Sequence, residues 1–527
     1  MTGPETYDYI VVGAGSAGCV IANRLATGTD ATVLLIEAGG PDTEPAIHQE
    51  QMSATMSLWG PGPLNWGYVT EPQAALAGRE IPVARGKVWG GCSSVNAMLH
   101  VRGNRIDYDT WAALGNRGWS YEDVLPVFRQ MENFSGWASS YRGAAGPLAV
   151  LVHADPSPVA LQLFDAGPEV GIADRGHGFD YNGEHQTDTV FLYQATKTPE
   201  HRRASTAVAY LTPALDEPNL TVLSQAMVTR VLIESGRAVG VEVVVDGTAR
   251  QVRCEREVVV SAGAYESPKL LMLSGIGPAD TLVRHGIQVL VDLPGVGANL
   301  QDHMIVGVCY LSKREQPWEP TLIAETGFFT RSSAVGPQEA PDFQMKFGGL
   351  KFVSPEYYQD GPGFTFAPVL IQPRSVGYVS LKSADPHDIA LLQPNYLSDP
   401  ADLNTFVEAI ERSRELANTR AMTGWVDREI APGPDVTDRA GIEDYVRRNA
   451  GTLWHPVGTC AMGNGPQAVV DPQLRVRGVV GLRVADASVM PRIVSGNTNA
   501  ASIMIGEQAA RLLAPAAVAG AMGSEAR

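Results

Sequence analysis

A chain of 527 residues with 44% hydrophobic and 18% charged residues has ample material for a core, and its length calls for two domains, consecutive or interleaved. The formal net charge of −17 argues against nucleic acid and anionic membrane surfaces as partners, and no apolar run approaches the ~20 residues that a bilayer-spanning helix needs. Five scattered cysteines without CxxC spacing exclude a disulfide framework and a zinc site; with no signal-peptide pattern at the start, the expected location is cytoplasmic.

The N-terminal stretch reads strand, glycine turn, helix, strand, acid. Tyr9 to Val12 is apolar and β-branched, the composition of a strand buried on both faces. Gly13-Ala14-Gly15-Ser16-Ala17-Gly18 follows, then a helix pattern over Cys19 to Leu25 and a second strand over Ala31 to Ile36, ending at Glu37. In such a unit Gly13 permits the tight turn, Gly15 lets backbone approach a pyrophosphate, and Gly18 lets helix and strand pack closely. Glu37 falls where a carboxylate holds ribose hydroxyls. The unit predicts dinucleotide binding without deciding which dinucleotide.

The segment from Ala84 to Met98 carries Gly90-Gly91-Cys92-Ser93-Ser94 between Val83 and the apolar Ala97-Met98-Leu99. Small residues in that setting cannot build a core, and a buried loop needs a polar ligand for its N–H groups, so a cofactor contact is expected. Asp109 to Met131 reads as one amphipathic helix with Trp111, Leu114, Val124, Leu125, Val127 and Phe128 in the core. From Leu151 to Asn182 the motif density drops, as on a first visit to a second domain. Thr221–Leu223 and Ala238–Val244 read as strands paired about a Gly236-Arg237 turn, and Cys254 to Gly263 as a buried strand ending in glycine. Ser267 is read as a cap and Pro268 as a first-turn residue of a helix from Lys269 to Gly275.

Pro294 to His303 reads as a tight turn, with Asp302 and His303 as structural residues. From Ile305 to Thr452 short strands are expected at Ile305–Leu311, Ala324–Thr330, Asp342–Phe347, Phe366–Ile371 and Gly377–Leu381, with helices near Leu403–Asn418 and Gly441–Ala450. These describe an antiparallel sheet backed by helices. The C-terminal part carries Trp454-His455-Pro456-Val457-Gly458-Thr459, a strand at Gly481–Ser488 with Asp486 and Ala487, and Ser495-Gly496-Asn497-Thr498-Asn499 leading into a helix to Leu513, with Thr498 or Asn499 as its cap. The Ala/Gly-rich stretch from Ala514 to Arg527 is expected to fray.

With these five motifs in this order, the sequence resembles the glucose–methanol–choline (GMC) oxidoreductases over nearly the whole chain. The resemblance implies an α/β fold: a Rossmann-like FAD-binding domain interleaved with a substrate domain built on an antiparallel sheet. The expected boundaries are 1–150, 191–304 and 453–527 for FAD, and 151–190 with 305–452 for substrate. Carried over by residue, Gly13, Gly15, Gly18 and Glu37 hold the ADP half and Val228 meets the adenine. Gly91, Ser94, Val95 and Asn96 line the flavin, and Asp486 and Ala487 the ribityl–pyrophosphate. Ser16, Ala17, Ala38, Arg85, Val88, Ala97, Ala262, Trp454, Asn497 and Thr498 complete the implied cofactor contacts, and no metal is implied. His455 and Asn499 match the catalytic pair, base and orienter for removal of a hydroxyl proton.

Two departures refine the expectation. Some members bind flavin covalently through a histidine where this chain has Val95, so FAD is expected to be non-covalent. Choline-oxidising members place a glutamate just after the Asp-His pair, where Met304 and Ile305 stand here; an apolar patch disfavours a cation, so a neutral primary alcohol is expected. O2 is the expected acceptor, giving H2O2. The alternatives are a dehydrogenase using a quinone or another carrier, and a flavin-containing hydroxynitrile-type lyase.

Overall fold

The computed structural model describes residues 6–317 and 319–514. Stretch 515–527, part of the tail expected to fray, lies outside them. Strand Thr6–Val12 sits at the centre of a seven-stranded sheet, parallel to Val33–Ile36 on one side and to the C-terminal half of Thr248–Val260 on the other. Leu220–Leu223 extends the parallel set beyond Val33–Ile36, and Leu482–Val484 pairs with Val258–Val260. Ile10, Val11, Val33, Leu35 and Val258 to Val260 are all fully buried, which is why their runs are apolar without alternation. The first half of Thr248–Val260 pairs antiparallel with Arg237–Val245, which in turn pairs with Ala226–Glu234.

Helix Gly18–Gly28 returns between the first two strands. A Cβ on Gly18 would stand 1.8 Å from the Gly13 carbonyl oxygen, so only glycine lets the helix rest on the turn. Gly91, at φ +51°, presses against the same turn, where a Cβ would meet Gly15 Cα at 2.8 Å.

The second layer is a nine-stranded sheet. Its path runs Val426–Ala431, Val308–Ser312, Gly363–Leu370, Phe343–Gly348, Thr326–Thr330, Thr189–Leu192 and Ala173–Asp174, antiparallel except at the last pair. Met304–Ile305 joins Gly363–Leu370 and carries Gly451–Thr452 on its other side. Helices Pro158–Glu169, Pro400–Ala417 and Arg439–Asn449 supply Leu163, Phe406, Ile410 and Val446 to the cluster that buries Phe343, Met345 and Phe347. The opposite face, with Ile305, Ala367 and Val369, packs on Leu99 and Val101.

Several expected elements take a different form. The long helix over 109–131 is two, Arg105–Ala113 and Tyr121–Met131, each opened by a capping box: Asn104 with Asp107, and Ser120 with Asp123. Gly115 and Gly118, at φ +98° and +88°, turn the chain between them, and Leu114 is 52% exposed rather than core. Leu220–Leu223 joins the parallel strands; the partner of Arg237–Val245 is Ala226–Glu234, closed by Ser235-Gly236. Tyr378–Ser380 pairs with Leu391–Gln393 in a separate two-stranded ribbon. Helix Gly263–Leu273 starts earlier than expected and contains Pro268. The carbonyl of Ala264, four residues before that proline, instead accepts a hydrogen bond from the Thr459 hydroxyl at 2.6 Å. Ser267 does not cap this helix; its hydroxyl donates to Asp486 Oδ2 at 2.5 Å.

Candidate active site

Two adjoining cavities, enclosing about 1010 and 1410 Å3 of free space including parts open to solvent, form one cleft along the C-terminal ends of the parallel strands. That edge is where doubly wound sheets place ligands. Ser16, Arg85, Cys92, Ala487 and Ser502 line both.

The first cavity is walled by Gly13, Gly15, Ala17, Glu37 and Ala38 from the glycine unit, with Gly91. Val228, Ala262 and Asp486 complete it. The Glu37 carboxylate accepts from the Ala14 N–H at 2.9 Å and the Gly39 N–H at 2.8 Å, which fix it although burial pushes its pKa up. A carboxylate has room for further donors such as ribose hydroxyls. Asp486 accepts from the Gly263 N–H at 2.9 Å and the Ser488 N–H at 2.7 Å, tying the returning C-terminal strand to the start of helix Gly263–Leu273.

The second cavity brings together Val95, Asn96, Ala97, Trp454, His455, Asn497, Thr498 and Asn499. Three expected contacts lie outside both walls. Gly18 is beneath the turn, Val88 is packed in an apolar cluster with Ile47 and Leu58, and the Ser94 hydroxyl donates to the Trp89 carbonyl at 2.6 Å. They shape the cleft from behind. Ile305 reaches the second cavity, whereas Met304 is packed under the sheet's helices.

Trp454 holds a left-handed backbone, φ +59°, an uncommon state for a bulky residue. Its N–H donates to Thr452 Oγ1 at 2.7 Å, and its carbonyl accepts from Arg85 at 2.8 Å. The next N–H, that of His455, donates to Asp302 Oδ1 at 2.7 Å. The other oxygen of Asp302 accepts from the hydroxyls of Tyr396 and Thr452.

His455 and His303 meet at 2.9 Å through their Nδ1 atoms, rings at 88°. The network dictates where the protons sit. His303 Nε2 lies 3.1 Å from the Ile371 carbonyl, which only accepts, so Nε2 carries the proton. Burial drops the His303 pKa to about 3, so its ring is neutral and its Nδ1 is an acceptor. His455 Nδ1 must therefore be the donor, and its Nε2 keeps a free lone pair. That lone pair accepts from Asn497 Nδ2 at 3.2 Å. Burial, the largest cause, together with the cations Lys346 and Arg85, holds His455 well below the ordinary imidazole value. A neutral imidazole with its Nε2 lone pair on a cavity wall is equipped to take a hydroxyl proton.

Asn499 opens helix Asn499–Leu513, and its Oδ1 accepts from the Ser16 hydroxyl at 2.8 Å. Thr498 and Asn499 give that helix no side-chain cap, and helix Gly18–Gly28 also lacks one. Two uncapped helix starts beside the cleft suit an anionic ligand. Further features match a bound dinucleotide. A Cβ at Gly15 would meet only the Ser261 oxygen at 4.0 Å and one at Gly263 nothing within 4 Å, so backbone is bare to the cleft at both. The Tyr265 hydroxyl and Asn497 Oδ1 are buried without a hydrogen-bond partner among the described residues.

Sequence reasoning placed His455, Asn497 and Asn499 in this region but treated Asp302 and His303 as turn residues. Both prove to be structural partners of His455 itself, Asp302 through the His455 N–H and His303 through its Nδ1. The structure also adds Lys346 and Tyr265 to the cavity walls. The regular alternation of the strand holding Lys346 was the one available signal for that lysine.

A dinucleotide cradle ending at a neutral imidazole in a largely apolar cavity is equipped for proton removal beside a bound cofactor, as in an oxidoreductase. Comparison with known proteins agrees. Residues 7–305 and 373–506 match the N- and C-terminal family profiles described as GMC oxidoreductase. The chain belongs to the GMC oxidoreductase family, whose members bind FAD. It is 40% identical to an alcohol dehydrogenase [acceptor] of Pseudomonas putida, over 96% of this chain and 95% of that one. It is 39% identical to the mitochondrial choline dehydrogenase of Homo sapiens, over 97% and 90% of the two chains. Among solved structures, pyridoxine 4-oxidase from Mesorbium loti superposes with a TM-score of 0.89 at 34% identity, covering 96% of this chain and 98% of that one.

Proposed function

We propose that the protein oxidises a primary alcohol to the aldehyde, with His455 as the base. The observation that carries this reading is the His303–His455 contact, which leaves the His455 Nε2 lone pair on the cavity wall. FAD, held non-covalently in the cleft, supplies the hydride acceptor. An incoming hydroxyl takes the place of the Asn497 amide at Nε2 and donates its proton there. Asn499, anchored by Ser16, keeps its amide N–H groups for orienting the substrate oxygen. The apolar side chains of Leu99, Ile305, Ile323, Ala367 and Leu453 exclude water around the carbinol. Residues 1–150, 191–304 and 453–527 form the cofactor part in this reading, and 151–190 with 305–452 the substrate part.

O2 is the proposed acceptor, giving H2O2. A carrier-linked dehydrogenase is the second reading, favoured by the names of the Pseudomonas putida and human relatives. Peroxide release beside dye reduction over a panel of alcohols separates the two. The decisive experiment is anaerobic bleaching of the flavin by alcohol in wild type and in His455→Ala. The variant is expected to keep FAD and lose about 10²–10⁴-fold in kcat, the usual contribution of a positioned base. Near-normal reduction in His455→Ala would refute the role, and an absence of bleaching in wild type would leave only a non-redox lyase reading. Release of all yellow colour on acid precipitation checks the non-covalent attachment.

A further inference from the structure

Strand Phe343–Gly348 alternates across the nine-stranded sheet. Phe343, Met345 and Phe347 belong to the cluster beneath the helices, so Gln344 and Lys346 face the other way. Gln344 donates to the Tyr193 hydroxyl at 2.6 Å. Lys346, in register with Gly327 and Ala367, lines the same cavity as His455, in a wall otherwise rich in apolar side chains such as Ile305 and Leu99. It is 5% exposed, yet makes no hydrogen bond or ion pair with any described residue.

A lone buried ammonium is costly, and an apolar side chain of equal length would fill the space without that cost. Burial alone brings Lys346 down to about 7. Among the described residues no neighbouring element supplies a counter-charge. Strand Gly363–Leu370 has no titratable side chain. The Glu325 carboxylate, just before strand Thr326–Thr330, is held by the Ser157 N–H at 2.6 Å, the Ser157 hydroxyl at 2.7 Å and the Gly349 N–H at 3.1 Å. Asp302 is occupied by Tyr396, Thr452 and the His455 N–H. His303 and His455 are neutral, the Tyr193 hydroxyl is bonded to Gln344, and Arg85 is a second cation. An anion carried by a ligand of this cavity would supply the partner that the described residues do not.

We propose that Lys346 is an anion-recognition point in the alcohol cavity, and that the substrates are primary alcohols carrying a carboxylate on an otherwise apolar frame. This rests on the alcohol-oxidation reading above. A carboxylate is favoured over a neutral acceptor because a charge-assisted hydrogen bond is about twice as strong as a neutral one. A single lysine suits one negative charge, and Lys346 with Arg85 repels a quaternary ammonium. Pairing also keeps the amine protonated, and so unable to condense with the aldehyde formed beside it.

The test compares the wild-type holoenzyme with Lys346→Met and Lys346→Gln. kcat/KM is measured for 6-hydroxyhexanoate against 1-hexanol and for 4-(hydroxymethyl)benzoate against benzyl alcohol. Calorimetry reads binding of the unreactive 4-methylbenzoate. At about pH 6 wild type is expected to favour each carboxylate by about tenfold or more, and to lose the preference as pH rises through about 7 and the free lysine deprotonates. Both variants are expected to lower that ratio about tenfold, remove its pH dependence and weaken 4-methylbenzoate binding by a similar factor. A wild-type preference for the neutral alcohols, or a ratio unmoved by either substitution, overturns the proposal. If no alcohol is oxidised, the alcohol reading is what fails, and calorimetry alone decides: equal 4-methylbenzoate binding in wild type and Lys346→Met overturns the anion site, and binding lost in the variant supports it.

Discussion

At the scale of single residues, the chemistry turns on which nitrogen of His455 carries a proton, and His303 decides that from the side away from the cavity. Replacing His303 with leucine removes the acceptor that faces His455 Nδ1 among the described residues. The ring is then free to take the other tautomer, with Nε2 protonated and useless as a base. His303→Leu is expected to keep its FAD and its KM for a neutral alcohol while kcat falls about 10–100-fold, the size of loss seen when the partner orienting a metal-bound imidazole is removed. A fall in KM-dependent terms alone would point to a packing role instead. The pH profile follows from the same burial. His455 acts neutral, and its pKa is depressed, so activity is present above that pKa and lost only as pH falls through it. For neutral alcohols kcat/KM is expected to stay level from about pH 8 to about pH 6, with no acid limb at the ordinary imidazole value of about 6.5. A limb centred near 6.5 would contradict the buried site.

At the scale of elements, helix Gly263–Leu273 shows what a local reading catches and what it misses. The sequence pattern of Ser267 followed by Pro268 has the form of a helix start, and proline is tolerated there because a first-turn residue needs no N–H partner. In the structure the same tolerance is achieved differently: Thr459, nearly two hundred positions away, satisfies the carbonyl that Pro268 leaves free. Thr459→Val, which keeps shape and removes the hydroxyl, is expected to lower stability by ~1–3 kcal/mol through the unsatisfied Ala264 carbonyl. Equal urea midpoints for variant and wild type would show the carbonyl to be otherwise satisfied. The glycine unit, by contrast, was legible because the constraints that mark it are local: close approach of Gly18 to Gly13, apolar strands on either side, the acid at the end of the second strand. Long-range contacts explain the rest. His303 and Asp302 look like turn residues because their partners, Ile371, Tyr396, Thr452 and His455, come from distant segments. Lys346 looks like an ordinary polar position on a half-exposed strand until the sheet is seen to be covered on both faces.

Across the whole molecule, the two sheets are joined near a buried charge cluster that the sequence did not announce. Glu132 is fully buried, paired with Arg102 and with Arg142 at 3.0 Å; His100 lies 3.4 Å away. Arg142 reaches Asp180 at 3.3 Å and Gln194 at 2.9 Å, and the Asn182 amide donates to Gln194 at 2.9 Å. The cluster thereby ties the segment after helix Tyr121–Met131 to the chain that enters and leaves the antiparallel sheet at Thr189–Leu192. Such a cluster adds little over an apolar core while intact, but removing one charge leaves the others buried and unpaired. Glu132→Gln, nearly isosteric, leaves the buried Arg102 guanidinium without a carboxylate and Arg142 with Asp180 alone, and is expected to cost about 3–5 kcal/mol in denaturant unfolding of the FAD-loaded enzyme. The pH dependence of that difference has a definite sign. Arg102 and Arg142 hold the Glu132 pKa down to about 2 despite its burial, from an ordinary 4.5. Its contribution is therefore complete above the unfolded value and is lost as pH falls through the folded one. The gap between wild type and Glu132→Gln is expected to stay constant from about pH 8 to about pH 5 and to close below about 4.5. A gap that varies in the neutral range would mean that His100, whose own pKa burial lowers, is the group whose charge the cluster answers to.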